Sequence, residues 1–461
     1  MDDLEKKYPQ YFEIINIVNR NLTAYNGIDA LIENDYLIKS ESYNIEKRYN
    51  KRKMLAINFE LTQYIATEFS SFLSSSLSTT KYESVLQNDK LFNNFINDCN
   101  KRGESIYDFL NSAQELSLVT GFLGILISST NQESYSLFDQ QEKNIYPVLK
   151  LILPHAIYDF TFDYYGLSYL KLKLSETKII EYYRNEIIEW TILDKNTSYI
   201  KHDNLLGIIP FIFMQAKKNP LFDGLGIPIL SNSARVDITI LNEMSWLINQ
   251  IEYASFPIPI IPPVPEGQNA SIKVGPDIPQ VFQALQGLDG KSTWEHIKWL
   301  KPEISQSVDA IIKKIDWMIN KLLVTMRLSS VVSTSLSQSA RSGESLEREM
   351  DHLNGLLTSL NNNKIQALYN IIYIYCKFFD HLKDIDIQES VNVETKTKFN
   401  VADLLSNIND HISLLLATNS TTLKEIVVTR LINKLYQKKD KSEVIKKINQ
   451  ELIESEDNLG N

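Results

Sequence analysis

The sequence predicts an α+β protein that is mainly helical, and three observations support this assignment. Long stretches place apolar residues at three- and four-residue spacing, as amphipathic helices require. The stretch between residues 145 and 214 instead alternates with a period of two and is rich in Tyr, Phe, Ile and Thr, which is typical of half-buried strands. Glycine supplies only 15 of the 461 residues, whereas nucleotide-binding α/β folds need glycine where the backbone approaches phosphate.

The overall composition excludes several classes of protein. A chain of 461 residues with 43% hydrophobic and 23% charged residues can bury a large core, so two or three structural units are expected. The net charge of -10 has the wrong sign for a protein that grips nucleic acid over its whole surface. The cysteines are Cys99 and Cys376 alone, which indicates a reducing compartment and no disulfide framework. The start is acidic and no apolar run reaches about 18 residues, so neither a signal peptide nor a membrane span is predicted.

The first half of the chain is predicted to be helical and then β-rich. Residues 4–130 have a helical pattern, although the apolar segment from Leu110 to Ile127 fits either a buried helix or a helix that turns into a strand. Period-two alternation is clearest in Leu170–Leu174, and the tyrosines of residues 158–183 are interpreted as core and cross-strand pairs. Residues 219–228 then contain the Gly and Pro residues that are typical of a sharp turn in the chain.

Two amphipathic helices flank a proline-rich segment. The first covers residues 232–253, about 33 Å, and the second begins at Ser305 and covers about 36 Å. Between them, residues 256–304 hold eight of the 14 prolines in the chain, which no long helix tolerates. The matched lengths predict a helical hairpin with the proline-rich segment at its far end. Its apolar stripes are Val236, Ile240, Leu247 and Ile251 in the first helix, and Val308, Ile311, Ile312, Ile315, Ile319, Leu322, Leu323 and Met326 in the second.

A serine-rich segment and a second long helix follow. Seven of the 15 residues from Ser329 to Gly343 are serine, so this segment buries little and is expected to be mobile. The next helix starts near Ser342 and continues to about residue 385, with a bend predicted at Gly355 or near residues 361–363. A smaller helical tail is expected from 402 to 453.

Signatures of catalysis are weak. Gly287-Leu288-Asp289-Gly290-Lys291-Ser292 ends like a phosphate-binding loop, but Leu285 stands where the first glycine belongs, so an ordinary turn is the preferred interpretation. The six histidines include no pair at helical ligand spacing, which argues against a metal site on one helix. We therefore expect no cofactor, no metal and no enzymatic activity.

The order of these elements resembles that of the portal proteins of tailed bacteriophages. The local resemblance is greatest in Asp223-Gly224-Leu225-Gly226-Ile227-Pro228, which leads into the first helix, and in Ser342-Gly343-Glu344-Ser345-Leu346-Glu347, which opens the long helix. The resemblance covers residues 220–385. It implies a wing over residues 1–230, stem helices at 231–255 and 305–328, a clip at 256–304, a tunnel loop at 329–343, a long bent wing helix at 344–385 and a helical crown at 386–461.

The same resemblance implies a function and a set of partners. Twelve copies would form a ring at the capsid vertex of the virion, assembled in the host cytoplasm, through which double-stranded DNA is packaged and ejected without sequence reading. The partners implied are the terminase large subunit, a head-tail connector, and the major capsid and scaffolding proteins, with no membrane.

Three groups of site residues follow from the resemblance. The tunnel-loop group would meet DNA, the charged group on the second stem helix would face the channel, and the clip group would dock the motor. The tunnel-loop group is Ser333, Ser335, Ser337, Gln338 and Arg341. The channel-facing group is Lys313, Lys314 and Lys321. The clip group is Glu266, Ser271, Ile272, Lys273 and Val274.

Two alternatives remain open at the level of sequence. One is a nucleotide-dependent enzyme that uses Lys291 and Ser292 of the degenerate phosphate loop. The other is a helical scaffold or adaptor within a larger assembly.

Overall fold

The computed structural model describes residues 4–39, 46–74, 76–77, 80–129, 136–193, 196–255, 258–260, 285–286, 292–293, 298–300, 305–328 and 343–393. The chain divides into two units: the first comprises residues 1–329 and 355–395, and the second residues 330–354 and 396–461. Of the second unit, the structure describes residues 343–354, which form the beginning of a helix.

Helices occupy most of the described residues before residue 120 and after residue 230, where the apolar spacing predicts them. The long helix α11 is unbroken at Gly355 and at residues 361–363. The bend expected at one of these places stays a prediction. The helices are α1 (Tyr11–Tyr25), α2 (Ile28–Glu33), α3 (Glu46–Leu55), α4 (Leu61–Ser74), α5 (Ser84–Gln87), α6 (Lys90–Asn97), α7 (Ile106–Thr120), α8 (Leu137–Glu142), α9 (Ser231–Ser255), α10 (Ser305–Thr325), α11 (Gly343–Lys377) and α12 (Ile387–Ser390).

The strands confirm the α+β class. An antiparallel five-stranded sheet has the order β4-β5-β6-β7-β8, and a three-stranded sheet has the order β3-β2-β9. The strands are β1 (Lys81–Tyr82), β2 (Phe122–Ser128), β3 (Val148–Ile152), β4 (Ile157–Asp163), β5 (Gly166–Ser175), β6 (Lys178–Tyr183), β7 (Glu186–Leu193), β8 (Asn196–Asp203), β9 (Phe211–Gln215), β10 (Ile258–Ile260), β11 (Leu285–Gln286), β12 (Ser292–Thr293), β13 (Lys298–Leu300) and β14 (Val391–Asn392).

Among the described residues, the two largest apolar cores both lie in the first unit. One is built from α6, α7, β2 and the later half of α11, where Tyr375 stacks on Phe95 at 4.6 Å between ring centroids. The other lies on one face of the five-stranded sheet and includes Leu170, Leu172 and Tyr182, together with residues of α1. Strand β14, which opens the range predicted to be the crown, pairs with β1 and places Val391 in the first core.

The opposite face of the five-stranded sheet contains a buried ion pair that period-two alternation does not indicate. Lys171 lies between Leu170 and Leu172 yet is only 4% exposed, and its Nζ is 3.7 Å from Glu181 Oε1. Tyr169 donates a hydrogen bond to Oε1 of Glu181 (2.7 Å), and Trp190 Nε1 donates to Oε2 (2.9 Å). The Glu181 carboxylate on β6 therefore binds side chains from both neighbouring strands, β5 and β7.

The apolar segment from Leu110 to Ile127 is a helix that turns directly into a strand. The change occurs at Gly121, whose φ of 92° lies in the region that favours glycine. A Cβ atom on Gly121 would lie 2.7 Å from the Pro228 nitrogen and 2.8 Å from the Gly226 carbonyl oxygen. The corner predicted at residues 219–228 thus packs against the end of α7.

We expect Gly121→Ala to lower the free energy of unfolding by about 3 kcal/mol, since it combines an unfavourable φ with overpacking. Gly103→Ala is the matched control, because Gly103 has a φ of 80° but nothing within 4 Å of an added Cβ. It should cost about 1–2 kcal/mol. Urea denaturation of both variants measures the difference, and equal losses would contradict the close packing at Gly121.

Candidate functional site

Helices α9 and α10 form the predicted antiparallel pair. Ser307 Oγ donates to Gln250 Oε1 (3.5 Å), and Lys314 Nζ forms an ion pair with Glu243. The partner numbers rise in α10 as they fall in α9, so the two helices run in opposite directions. At 25 and 21 residues they are about 38 and 32 Å long.

The apolar stripe predicted for α10 is confirmed in part, because Val308, Ile311 and Ile319 are only half-buried. Leu322, Leu323, Met326 and Ile315 are buried, but Ile312 is 43% exposed. A second apolar feature lies on the opposite side of the helix, where Trp317 and Val324 are mostly exposed. The spacing of seven residues places these two side chains on one face. Sequence reasoning missed this face because Trp317 and Val324 fall among polar residues.

The stripe predicted for α9 is partly wrong. Ile240 and Leu247 are buried, but Val236 is half-buried and Ile251 is exposed. The buried face instead includes the polar residues Ser233, Asp237, Asn242 and Ser245. Asp237 and Asn242 can be buried there because they have hydrogen-bond partners. Asp237 accepts from the start of α4, and Asn242 bonds to the backbone of Tyr36 and Ile38.

Asp237 of α9 caps the first turn of α4. Its Oδ1 accepts a hydrogen bond from the backbone nitrogen of Leu61 (2.9 Å), and its Oδ2 accepts from the backbone nitrogen (2.8 Å) and hydroxyl (2.5 Å) of Thr62. These N–H groups have no partner within the helix, so a carboxylate there satisfies them and complements the helix dipole. Burial raises the pKa of Asp237, while the hydrogen bonds from Thr62 and Leu61 oppose that rise.

Lys364 of α11 holds the other end of α4. Its ammonium group is fully buried and donates to the carbonyl oxygen of Leu73 (2.9 Å), to Ser76 Oγ (3.4 Å) and to Asn111 Oδ1. The last carbonyl groups of a helix are the negative end of its dipole, which favours a cation. Burial lowers the pKa of Lys364 to about 8. Helix α4 thus has a carboxylate at its first turn and an ammonium group at its last.

The far end of the helical pair carries short β-ladders. Strand β10 follows α9 and pairs with β13 before α10, with Pro259 opposite Trp299. Further along, β11 pairs with β12, with Gln286 opposite Ser292. A phosphate-binding loop leads from a strand into a helix, whereas Ser292 begins a strand. This context argues against the nucleotide-binding interpretation of Lys291 and Ser292.

The structure describes three of the predicted site residues. Lys313 and Lys321 are exposed on α10, while Lys314 is paired with Glu243. The tunnel-loop group (Ser333, Ser335, Ser337, Gln338 and Arg341) and the clip group (Glu266, Ser271, Ile272, Lys273 and Val274) lie outside the described residues. Their roles stay predictions.

The described residues contain neither a metal-binding cluster nor a membrane-spanning helix. No group of three or more His, Cys, Asp or Glu side chains there is arranged to hold a metal ion. Nor does any helix among those residues have the length and hydropathy needed to cross a membrane.

Comparison with known proteins identifies a structural similarity but no family. The chain matches no protein-family model and no curated protein. It is similar to a chain in a solved structure described as the neck of an empty GTA particle computed with C6 symmetry, with 7% sequence identity, a TM-score of 0.34, and coverage of 79% of this chain and 89% of that chain. A TM-score of 0.34 is too low to show a shared fold or function.

Proposed function

We propose that this chain is the ring-forming subunit of a portal-type channel, through which phage DNA is packaged and ejected. The observation that supports the proposal is the arrangement of α9 and α10 as an antiparallel pair with β10 and β13 at its far end, followed by the serine-rich segment and the 35-residue helix α11. In this proposal the pair is the stem, and residues 256–304 dock the terminase large subunit and the head-tail connector.

The charge distribution also suits a conduit. A channel dense in Lys and Arg would hold the DNA phosphates tightly through counterion release and would impede sliding. The chain instead has a net charge of -10, and the exposed lysines Lys313 and Lys321 on α10 are accompanied by the exposed acids Asp309 and Asp316. Alternating charge on this helix fits the weak, sequence-independent contact that a passage for DNA needs.

Electron microscopy of the purified protein tests the proposal directly. We expect closed rings, twelve-membered by the resemblance, with a central passage wide enough for duplex DNA. A protein that stays monomeric at all concentrations would contradict the proposal. A ring without such a passage would favour the scaffold alternative.

Trp317 is expected to lie at the contact between neighbouring subunits of the ring. It is 65% exposed on the face of α10 opposite the buried residues Ile315 and Leu322, and exposed aromatic side chains are frequent anchors of protein interfaces. We expect Trp317→Glu to abolish the rings in sedimentation velocity, because the contact would have to bury a carboxylate without a partner. The variant subunit should keep its circular dichroism spectrum.

Tyr164→Glu is the matched control for this prediction. Tyr164 is also an exposed aromatic residue, but it lies in the turn between β4 and β5. We expect rings of unchanged size from this variant. Intact rings from Trp317→Glu would remove Trp317 from the contact, while ring loss in both variants would indicate a general effect of added charge.

A further inference from the structure

Strand β8 is an open edge of the five-stranded sheet. It is the last strand in the order β4-β5-β6-β7-β8, and within the described residues no strand pairs with its outer side. Its register with β7 runs without a shift over eight residue pairs, whereas β4·β5 and β5·β6 contain irregularities. The strand contains no proline and no bulge, two of the devices that block edge pairing, and the charge of its one lysine, Lys201, is paired with Glu186 of β7.

The register of β8 defines which backbone groups point outward. The hydrogen bond from Asn204 N to Asn185 O (2.9 Å) identifies Asn185 and Asn204 as a hydrogen-bonded pair. Such pairs alternate with non-hydrogen-bonded pairs in an antiparallel ladder, so the even-numbered residues of β8 bond to β7. The backbone N–H and C=O groups that point away from the sheet are those of Thr197, Tyr199, Lys201 and Asp203.

The side chains of β8 are exposed on both faces of the sheet. Ile200 is 61% exposed on one face, and Tyr199 is similarly exposed on the other, where it packs against Trp190 at 4.9 Å between ring centroids. Lys201 is held by an ion pair with Glu186 of β7. The edge therefore presents a regular row of hydrogen-bonding groups next to apolar surface, which is what an added strand requires.

We propose that β8 pairs antiparallel with β8 of a second copy of this chain, in a two-fold contact centred on Ile200. The four outward-facing residues lie symmetrically about Ile200, so this register alone engages all of them on both strands. Four hydrogen-bonded residue pairs then give about eight backbone hydrogen bonds.

Side-chain pairing in this register is compatible with the contact. Ile200 lies opposite Ile200 of the second copy, Tyr199 opposite Lys201, Thr197 opposite Asp203 and Ser198 opposite His202. No like charges are directly opposite each other, which is the arrangement that would destabilise a strand pair. Shifting the register by two residues along the chain would place Lys201 opposite itself. Charge therefore favours the register centred on Ile200 over that neighbouring one.

This contact is separate from the ring contact proposed for α10. A two-fold contact joins two copies and then is closed, so it does not generate a ring of more than two subunits. The edge pairing of β8 does not rest on the portal function, and its test does not require that rings form.

Disulfide trapping of the full-length chain tests the register. Opposite residues of a non-hydrogen-bonded pair have Cα atoms about 4.5 Å apart, within the range that a disulfide spans. We expect Ile200→Cys to form a covalent dimer on mild oxidation. The two native thiols do not interfere, because Cys99 and Cys376 are buried and burial raises the pKa of each to about 12.

Two further variants distinguish this register from nonspecific contact. His202→Cys alone should not form a dimer, because the two copies of residue 202 lie four residues apart along the ladder, about 13 Å. A mixture of His202→Cys and Ser198→Cys should form the mixed dimer, because these residues are opposite each other. Equal trapping of Ile200→Cys and His202→Cys, or none in either, would overturn the proposal.

A non-covalent measurement complements the trapping. Ile200→Lys would place two ammonium groups directly opposite each other, and we expect it to raise the dimer dissociation constant roughly tenfold or more in sedimentation equilibrium. Leu205→Lys is the control, since Leu205 is an exposed apolar residue beyond the end of β8. If the dimer persists in Ile200→Lys, β8 is not its contact.

Discussion

Replacing Lys364 with methionine is expected to lower the free energy of unfolding by about 4 kcal/mol. Methionine fills a similar volume but leaves the Leu73 carbonyl, Ser76 Oγ and Asn111 Oδ1 without their buried donor. Each buried acceptor that loses its partner costs about 1–3 kcal/mol, and removing the lysine relieves part of this by abolishing the burial of a charge. Chemical denaturation measures the net loss.

Lys377→Met on the same helix is the control for Lys364→Met. Lys377 is only half-buried, and its Nζ donates to the carbonyl oxygen of Lys383 at the surface. We expect a loss below about 1 kcal/mol. A Lys364→Met variant as stable as Lys377→Met would show that the ammonium group is not a structural contact of α4.

Lys364 should also leave a signature in the pH dependence of stability. Its pKa is about 8 in the folded chain and about 10.4 when unfolded. Between these values the unfolded state binds more protons, so the stability of the wild type rises with pH across this window. The Lys364→Met variant lacks this contribution. The difference in stability between the two proteins should therefore grow from about pH 8 to about pH 10.

Replacing Asp237 with asparagine is expected to cost about 3 kcal/mol. The two carboxylate oxygens each accept a backbone N–H, from Leu61 and Thr62. An asparagine has one carbonyl oxygen, so its amide nitrogen would face the second N–H group as a donor against a donor. The buried N–H group left without an acceptor accounts for the cost.

Two control variants separate the effect of the hydrogen bonds that Asp237 accepts from the effect of losing a surface charge. Asp309→Asn, on the exposed face of α10, should change stability by less than about 0.5 kcal/mol. Thr62→Val removes only the hydroxyl donor to Oδ2 and should cost about 1–2 kcal/mol. If Asp237→Asn costs no more than Asp309→Asn, the carboxylate does not cap α4.

The pH dependence has the opposite sign at Asp237. Its folded pKa is raised, chiefly by burial, so the folded state binds more protons than the unfolded state above about pH 4. The contribution of Asp237 is fully present below the unfolded pKa and is lost as the pH rises through the folded pKa. Compared with Asp237→Asn, the wild type should lose stability as pH rises through this window.

Local pattern predicted the elements well where one periodicity was sustained. Helices α9 and α10 begin and end close to the predicted residues, because amphipathic spacing and the flanking prolines mark their ends. The segment from Leu110 to Ile127 was ambiguous since most of its side chains are apolar or small, so neither period stands out. The structure places the change from helix to strand at Gly121, the residue that tolerates a φ of 92°.

The residues with the largest expected effects on stability gave no signal in the sequence. Asp237 and Lys364 both appear as polar positions within amphipathic helices, which predicts solvent exposure. Their partners lie 175 and 291 residues away in the chain. Only long-range folding brings a carboxylate to one end of α4 and an ammonium group to the other.

By itself the sequence determined the α+β class, the approximate order of helical and β-rich regions, and the balance of charge, because each follows from local periodicity and composition. Tertiary structure alone decided which charges are buried, that Trp317 and Val324 stay exposed, and that β8 is an open edge among the described strands. The physical reason is that burial and strand pairing depend on neighbours that are distant in the chain, whereas periodicity reports only which side of an element is apolar.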